Sequence, residues 1–245
     1  MIRISRGISF ALAFNVTISG AQTGIPDTSF VAEAQDYARA VYHGRVFSQS
    51  GLYNGRVYKD YTPVRDEHPF FISENLVDGS VVFDGVHYQH ALLLYDISKD
   101  KIITEHPRRL DKLELLETKV DEFIIHDCRF VNFTGDNHPE TGNGYFEVAY
   151  ENEVAIYLKH EKKIDEKMTH EGLSREFVTR VTYYIRKGST LHRVKSRRSA
   201  LRVFNEHKNQ IKRHLRSRGI LFGVDRKRSL VEMAFLYDSL NSNPE

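Results

Sequence analysis

The chain has 245 residues, of which 40% are hydrophobic and 28% are charged, a composition that is typical of a globular protein and excludes a largely disordered one. Its single cysteine, Cys128, excludes an internal disulfide, so the fold must be stabilised by core burial. The formal net charge of +2 conceals a strongly basic segment near the C-terminus.

The first 21 residues have the organisation of a secretory signal peptide. Arg3 and Arg6 form a positive start, residues 7–18 are mostly apolar, and small residues at 19–21 precede Gln22. The apolar stretch is shorter than the roughly 20 residues of a transmembrane helix. No cysteine lies near the cleavage point, which excludes a lipoprotein. We therefore predict a cleaved leader, with the first buried strand or helix of a cytoplasmic domain as the alternative.

Residues 22–79 are predicted to form an N-terminal helix and an irregular lead-in. Apolar residues recur at helical spacing from Phe30 to Val41. The segment that follows is rich in Gly, Tyr and Pro, and Asn54 with Gly55 indicates a tight turn.

From residue 80 to residue 195 the apolar pattern changes to a period of two, which predicts an antiparallel β domain. Asp84-Gly85 between two β-favouring runs is a strong hairpin signal. Strands are predicted at residues 80–83, 86–97, 101–105, 113–116, 122–125, 129–133, 145–150, 154–160, 177–186 and 190–194. The segments 136–143 and 165–174 are predicted to be exposed loops. Short connections favour a mainly β (α+β) fold built on a meander, either an open curved sheet or a barrel-like one.

Residues 196–245 are predicted to form a basic helical pair that packs on the sheet. Ser199 is a candidate N-cap for a helix that runs to about residue 218, and Gly219 is a helix stop. The apolar residues of the second predicted helix, at residues 229–240, are dense enough to require burial.

The segment from residue 193 to residue 228 carries 13 Lys and Arg residues and two acidic residues, a net charge of +11, whereas the rest of the predicted mature chain sums to −11. Arg and Lys at this density bind phosphate-rich polymers, lipid headgroups or acidic glycans through charge and forked hydrogen bonds. The predicted anionic-ligand site consists of Arg197, Arg198, Lys208, Lys212, Arg213 and Arg216. The sequence leaves open the alternative that these charges form the solvated face of an ordinary amphipathic helix, with or without ion pairs to the acidic body.

The sequence contains no Gly-x-Ser-x-Gly, His-Glu-x-x-His, P-loop or dinucleotide-binding motif. His87 and His90 are a candidate metal pair, but their spacing puts the two rings on opposite faces of a strand unless the strand is bulged. His126 and Cys128 are too close in sequence for the geometry of a base and a nucleophile. We predict no catalytic residue, no metal and no cofactor. A periplasmic hydrolase or metal-dependent enzyme that uses these histidines is the alternative.

Four short motifs connect the chain to a known group of proteins. They are LYNG at residues 52–55, HPFF at residues 68–71, GSVVFDG at residues 79–85 and LLLYD at residues 92–96. With these motifs and its basic helical C-terminus, the chain resembles a group of uncharacterised exported proteins from Bacteroidota. The resemblance covers most of the chain after residue 52 and implies a Gram-negative envelope setting, but it transfers no activity and no site residue.

The same motifs have a structural interpretation. Gly55, Gly79 and Gly85 are expected to supply turns that need a positive φ. Tyr95 and Asp96 bring a hydroxyl and a carboxylate to a strand end, where a turn-forming role for Asp96 is favoured over a ligand contact.

Together these observations predict an exported, non-catalytic envelope protein that acts by binding or assembly, with the basic helical face as its binding surface. The predicted location is the periplasm or the periphery of the outer membrane of a Gram-negative bacterium. An envelope protein, an anionic lipid headgroup or an anionic glycan is the expected partner. Nucleic acid is excluded by the exported location, and the chain is predicted not to be transmembrane.

Overall fold

A computed structural model of the chain describes residues 51–59, 67–133, 142–170 and 172–242. These residues all belong to one compact unit, Val46–Glu245. The predicted leader at residues 1–21, the predicted helix at residues 30–42 and most of the predicted loop at residues 136–143 lie outside the described residues.

The mainly β fold class is confirmed, because within the described residues eleven strands form one antiparallel sheet and three helices follow them. The strands are β1 (Arg56–Val57), β2 (Val77–Phe83), β3 (Val86–Asp96), β4 (Lys101–Glu105), β5 (Lys112–Glu114), β6 (Val120–Ile125), β7 (Cys128–Phe133), β8 (Gly144–Glu151), β9 (Val154–Thr169), β10 (Gly172–Lys187) and β11 (Thr190–Val194). The sheet therefore begins inside the segment that the sequence predicts to be an irregular lead-in.

The strand order is β1-β5-β4-β3-β2-β6-β7-β8-β9-β10-β11. Strands β2 to β5 form one meander, β6 returns to pair with β2, and β6 to β11 form a second meander. Of the two predicted alternatives, the structure has the open sheet, with β1 and β11 at its edges. The sheet curls strongly, since the amide of Lys162 in β9 donates to the carbonyl of Ile97 beyond β3 at 3.2 Å.

Positive φ angles occur in the β2–β3 hairpin as predicted, with Asp84 at 55° and Gly85 at 74°. The same expectation is wrong for Gly55 and Gly79, which do not have a positive φ. Gly79 is needed for a different reason. A Cβ atom there would overlap the backbone carbonyl oxygen of Ile124 in the neighbouring strand β6.

The loop predicted at residues 165–174 is instead the outer part of a long hairpin, in which β9 and β10 pair continuously. The ends of these strands are rich in charged residues, which in the sequence resemble an exposed loop. In the structure, these charged residues form ion pairs across the two strands. Glu166 accepts from Arg175 at 2.7 Å on one face, and Lys167 pairs with Glu176 on the other.

The helices are α1 (Arg197–Val203), α2 (Lys208–Ser217) and α3 (Arg226–Ser242). The single helix predicted from Ser199 is therefore wrong in two respects. Its N-cap is Ser196, whose hydroxyl accepts from the amide of Ser199 in a capping box. It is also interrupted after the fully buried Phe204 by a short 3-10 turn, Asn205–His207, so that α1 and α2 are separate helices.

The three helices pack on one face of β8 to β11 through a shared core of buried residues. Its members are Val154, Ile156, Leu158, Ile185, Val194, Ala200, Leu201, Phe204, Ile211, Leu215, Ile220, Phe222, Leu230, Met233, Ala234 and Tyr237. Polar contacts also attach α3 to the sheet. The buried carboxylate of Asp238 accepts from the Tyr150 hydroxyl at 2.9 Å and the Val154 amide at 3.3 Å.

A second aromatic-rich core lies under the curled strands β2 to β7.

Candidate anion-binding site

The structure brings five of the six predicted basic residues to one place. Lys208, Lys212 and Arg216 are four residues apart in α2 and therefore project from one side of that helix. Arg197 and Arg198 form the first turn of α1, which packs beside α2. All five line an open depression of about 460 Å³, which we call the basic depression.

The sixth residue, Arg213, lines a second depression of about 650 Å³ at the start of α2. Lys208 and Lys212 line both depressions, so the two depressions are neighbours on α2. The rest of the second depression comes from residues 205–210. The sequence could not predict it, because it exists only where the chain turns between α1 and α2.

The positive charge of these six side chains is not neutralised within the described part of the chain. None of the six forms an ion pair or a side-chain hydrogen bond with another described residue. Glu206, an acid that lines the second depression, bonds to Lys187 at 2.9 Å, and Glu232 accepts from His214 at 2.9 Å. The described residues therefore do not pair these six charges with the acidic body, and the exposure of five of them agrees with a solvated helix face as well as with a binding site.

Two further features favour an occupant in the basic depression. Lys212 is half-buried, and a lysine that buries its aliphatic stem keeps its ammonium group at the surface, where it can meet an anion. Leu201 is 4% exposed and provides an apolar floor, which sequence reasoning did not assign to the site. The site thus combines five cationic side chains with a lining that is more apolar than polar.

The histidines of the alternative enzyme hypothesis do not converge. His90 is a bulged residue with φ of 57°, so the bulge that joint ligation would require does exist in β3. Its Nδ1 lies 3.2 Å from Asp78, and both side chains are exposed. His126 lies in the β6–β7 turn. In the part of the chain that the structure describes, no three His, Cys, Asp or Glu side chains form a group that could hold a metal ion.

Cys128 contacts a buried carboxylate that sequence reasoning missed. Glu147 is 2% exposed and accepts from Nε2 of His160 at 2.6 Å and from the ammonium group of Lys227. Burial alone would raise the pKa of Glu147, but the hydrogen bonds from His160 and Lys227 outweigh it and hold the pKa below its ordinary value. Burial and the Glu147 carboxylate raise the pKa of the Cys128 thiol, which keeps the thiol protonated and poorly nucleophilic.

Asp96 has the turn-forming contacts that the sequence favours. Its carboxylate accepts from the amides of Ser98 and Lys99 at 2.9 and 3.0 Å, and the residue is completely buried. The hydroxyl of Tyr95 donates to Asp100 at 2.6 Å in the same turn. These groups are satisfied within the fold, and we assign them a structural role.

Even the longest described helix, α3 with 17 residues, falls short of the length and apolarity that a bilayer-spanning helix requires.

In comparisons with protein-family models, curated proteins and solved structures, no match to this chain was found.

Proposed function

We propose that this protein is an exported, non-catalytic component of a Gram-negative envelope that binds an anionic ligand through α1 and α2. The observation that carries the proposal is the basic depression, where five cationic side chains meet without an acidic partner among the described residues. Charge-assisted hydrogen bonds from Arg and Lys to phosphate or carboxylate oxygens are about twice as strong as neutral ones.

The proposed location rests on the sequence. The leader at residues 1–21 has signal-peptide organisation, and the four motifs resemble exported proteins of Bacteroidota. A single cysteine is compatible with a periplasm in which the fold does not depend on disulfides. In that compartment, phosphorylated lipids, acidic glycans and acidic proteins are the anions available.

The arrangement of the two depressions supports a ligand with more than one anionic group. Lys208 and Lys212 line both concavities, with Arg213 on one side and Arg197 and Arg216 on the other. A ligand that contacts both sides gains from every cation, whereas a single small anion reaches only some of them.

The test uses sodium tripolyphosphate as the probe in isothermal titration calorimetry with the full chain. The test variant is Lys212→Glu/Arg213→Glu. The matched control is Lys195→Glu/Arg202→Glu, which makes the same charge change at exposed residues that line neither depression. We expect binding that weakens with salt, a loss of about ten-fold or more in the test variant and a much smaller loss in the control.

Binding that is insensitive to salt, or equally weakened in both variants, contradicts the proposal. In the first case charge does not drive binding. In the second case only the overall charge of the protein matters and the depressions have no special role.

A further inference from the structure

The turn between α2 and α3, residues 219–225, presents two large apolar side chains to water. Leu221 is 66% exposed and Val224 is 83% exposed. Their neighbours Ile220 and Phe222 are each 9% exposed and anchor the turn in the helical core. Because the turn is anchored from below, its two outer side chains are held away from the protein.

This turn is held by backbone hydrogen bonds. Gly219 has a φ of 64° and ends α2, and the amide of Ile220 donates to the carbonyl of Leu215 at 2.9 Å. The amide of Val224 then donates to the carbonyl of Leu221 at 3.0 Å, which closes a second turn. Because these hydrogen bonds already fix the backbone of the turn, moving Leu221 and Val224 from water into an apolar phase costs little further conformational entropy.

Cations surround the turn on both sides in sequence. Arg216, which lines the basic depression, and the exposed Arg218 precede it, and the exposed Arg228 follows it. The guanidinium group of Arg218 lies 3.4 Å from the carboxylate of Glu232, which also bonds to His214. The side chain of Arg218 is 56% exposed. The acid of the turn, Asp225, accepts from the amide of Arg228 at 2.9 Å and so acts as a helix cap.

We propose that this turn inserts Leu221 and Val224 into the outer layer of an anionic phospholipid bilayer while the basic depression, whose Arg216 lies three residues before the turn, binds lipid phosphates. This inference rests on the proposed anion binding and names its partner. Apolar side chains flanked by Arg and Lys are the arrangement with which peripheral proteins bind anionic membranes. An acidic glycan offers no apolar phase for Leu221 and Val224, so it would leave them in water.

The test is sedimentation of the full chain with vesicles of phosphatidylcholine mixed with phosphatidylglycerol and with vesicles of phosphatidylcholine alone. The turn variant is Leu221→Ser/Val224→Ser. The control is Val86→Ser/Leu92→Ser, which removes the same two residue types from exposed positions in β3. We expect binding to the mixed vesicles only, a loss of about ten-fold in the turn variant and no loss in the control.

The outcomes separate this inference from the proposed function. If tripolyphosphate binds to the basic residues but vesicles do not, or if the turn variant sediments like the wild type, the membrane inference is wrong and anion binding stands. Equal binding to phosphatidylcholine alone also overturns the inference, because charge then has no part. If Lys212→Glu/Arg213→Glu changes neither tripolyphosphate nor vesicle binding, both proposals are wrong.

Discussion

Replacing Glu147 with Gln tests how the helical layer is held on the sheet. The substitution keeps the shape of a side chain that is 2% exposed but removes the charge that His160 and Lys227 contact. Lys227 lies in the first turn of α3, so its ion pair joins that helix directly to β8. We expect this substitution to lower the free energy of unfolding and to leave the six basic residues of the candidate site unchanged.

The magnitude follows from the burial of the partners. Removing one member of a buried ion pair costs about 3–5 kcal/mol. The side chain of Lys227 is 45% exposed and can regain water, so the expected loss for Glu147→Gln is smaller, about 2–3 kcal/mol. Lys227→Gln leaves Glu147 with His160 and should cost only about 1 kcal/mol.

The sign of the pH dependence is fixed by the lowered pKa of Glu147. A carboxylate whose pKa is lower in the folded than in the unfolded state stabilises the fold fully above the unfolded pKa. This stabilisation is lost as the pH falls through the folded pKa. The difference between wild type and Glu147→Gln should therefore be largest at neutral pH and shrink in acid.

Urea unfolding from neutral pH down to about pH 3 measures both effects. Equal stability of the two proteins at neutral pH would refute the assigned role of Glu147. A difference that stays constant in acid would refute its electrostatic origin.

Two further substitutions have defined expectations. Gly79→Ala should lower the free energy of unfolding by about 1–3 kcal/mol, because the new Cβ atom would overlap the Ile124 carbonyl oxygen and push β2 away from β6. An unchanged melting temperature would contradict this expectation. Asp238→Asn should cost little at neutral pH in urea unfolding. Burial raises the pKa of Asp238, so its ionisation disfavours the fold as the pH rises through the folded pKa, and a loss as large as that of Glu147→Gln would contradict this sign.

The strands could be predicted because their signals are local. Each of the ten predicted strands overlaps a strand of the structure, and the Asp84-Gly85 hairpin has the predicted positive φ angles. The order of the strands could not be predicted in the same way. The return of β6 to β2 depends on contacts between residues far apart in sequence, such as Val81 with Phe123. The end of the β9–β10 hairpin was not predicted, because a sequence shows only a run of charged residues there. Such a run is typical of an exposed loop, and the pairing of the charges across two strands becomes visible only in the structure.

The composition of the candidate site could be proposed from the sequence, but its shape could not. Charge density alone identified the six basic residues, and the structure places five of them around one depression. The depressions themselves depend on the break after the buried Phe204, which charge density does not reveal. The Glu147 cluster was not visible from the sequence, since Lys227 and Glu147 are 80 residues apart.

The most direct test of anion binding by α1 and α2 is hydrogen–deuterium exchange of the full chain with and without saturating tripolyphosphate. The account predicts slower exchange in peptides that cover residues 196–217, with unchanged exchange in β2 to β7. Slower exchange confined to the sheet, or no change anywhere at saturation, would contradict the claim that the two depressions form the binding site.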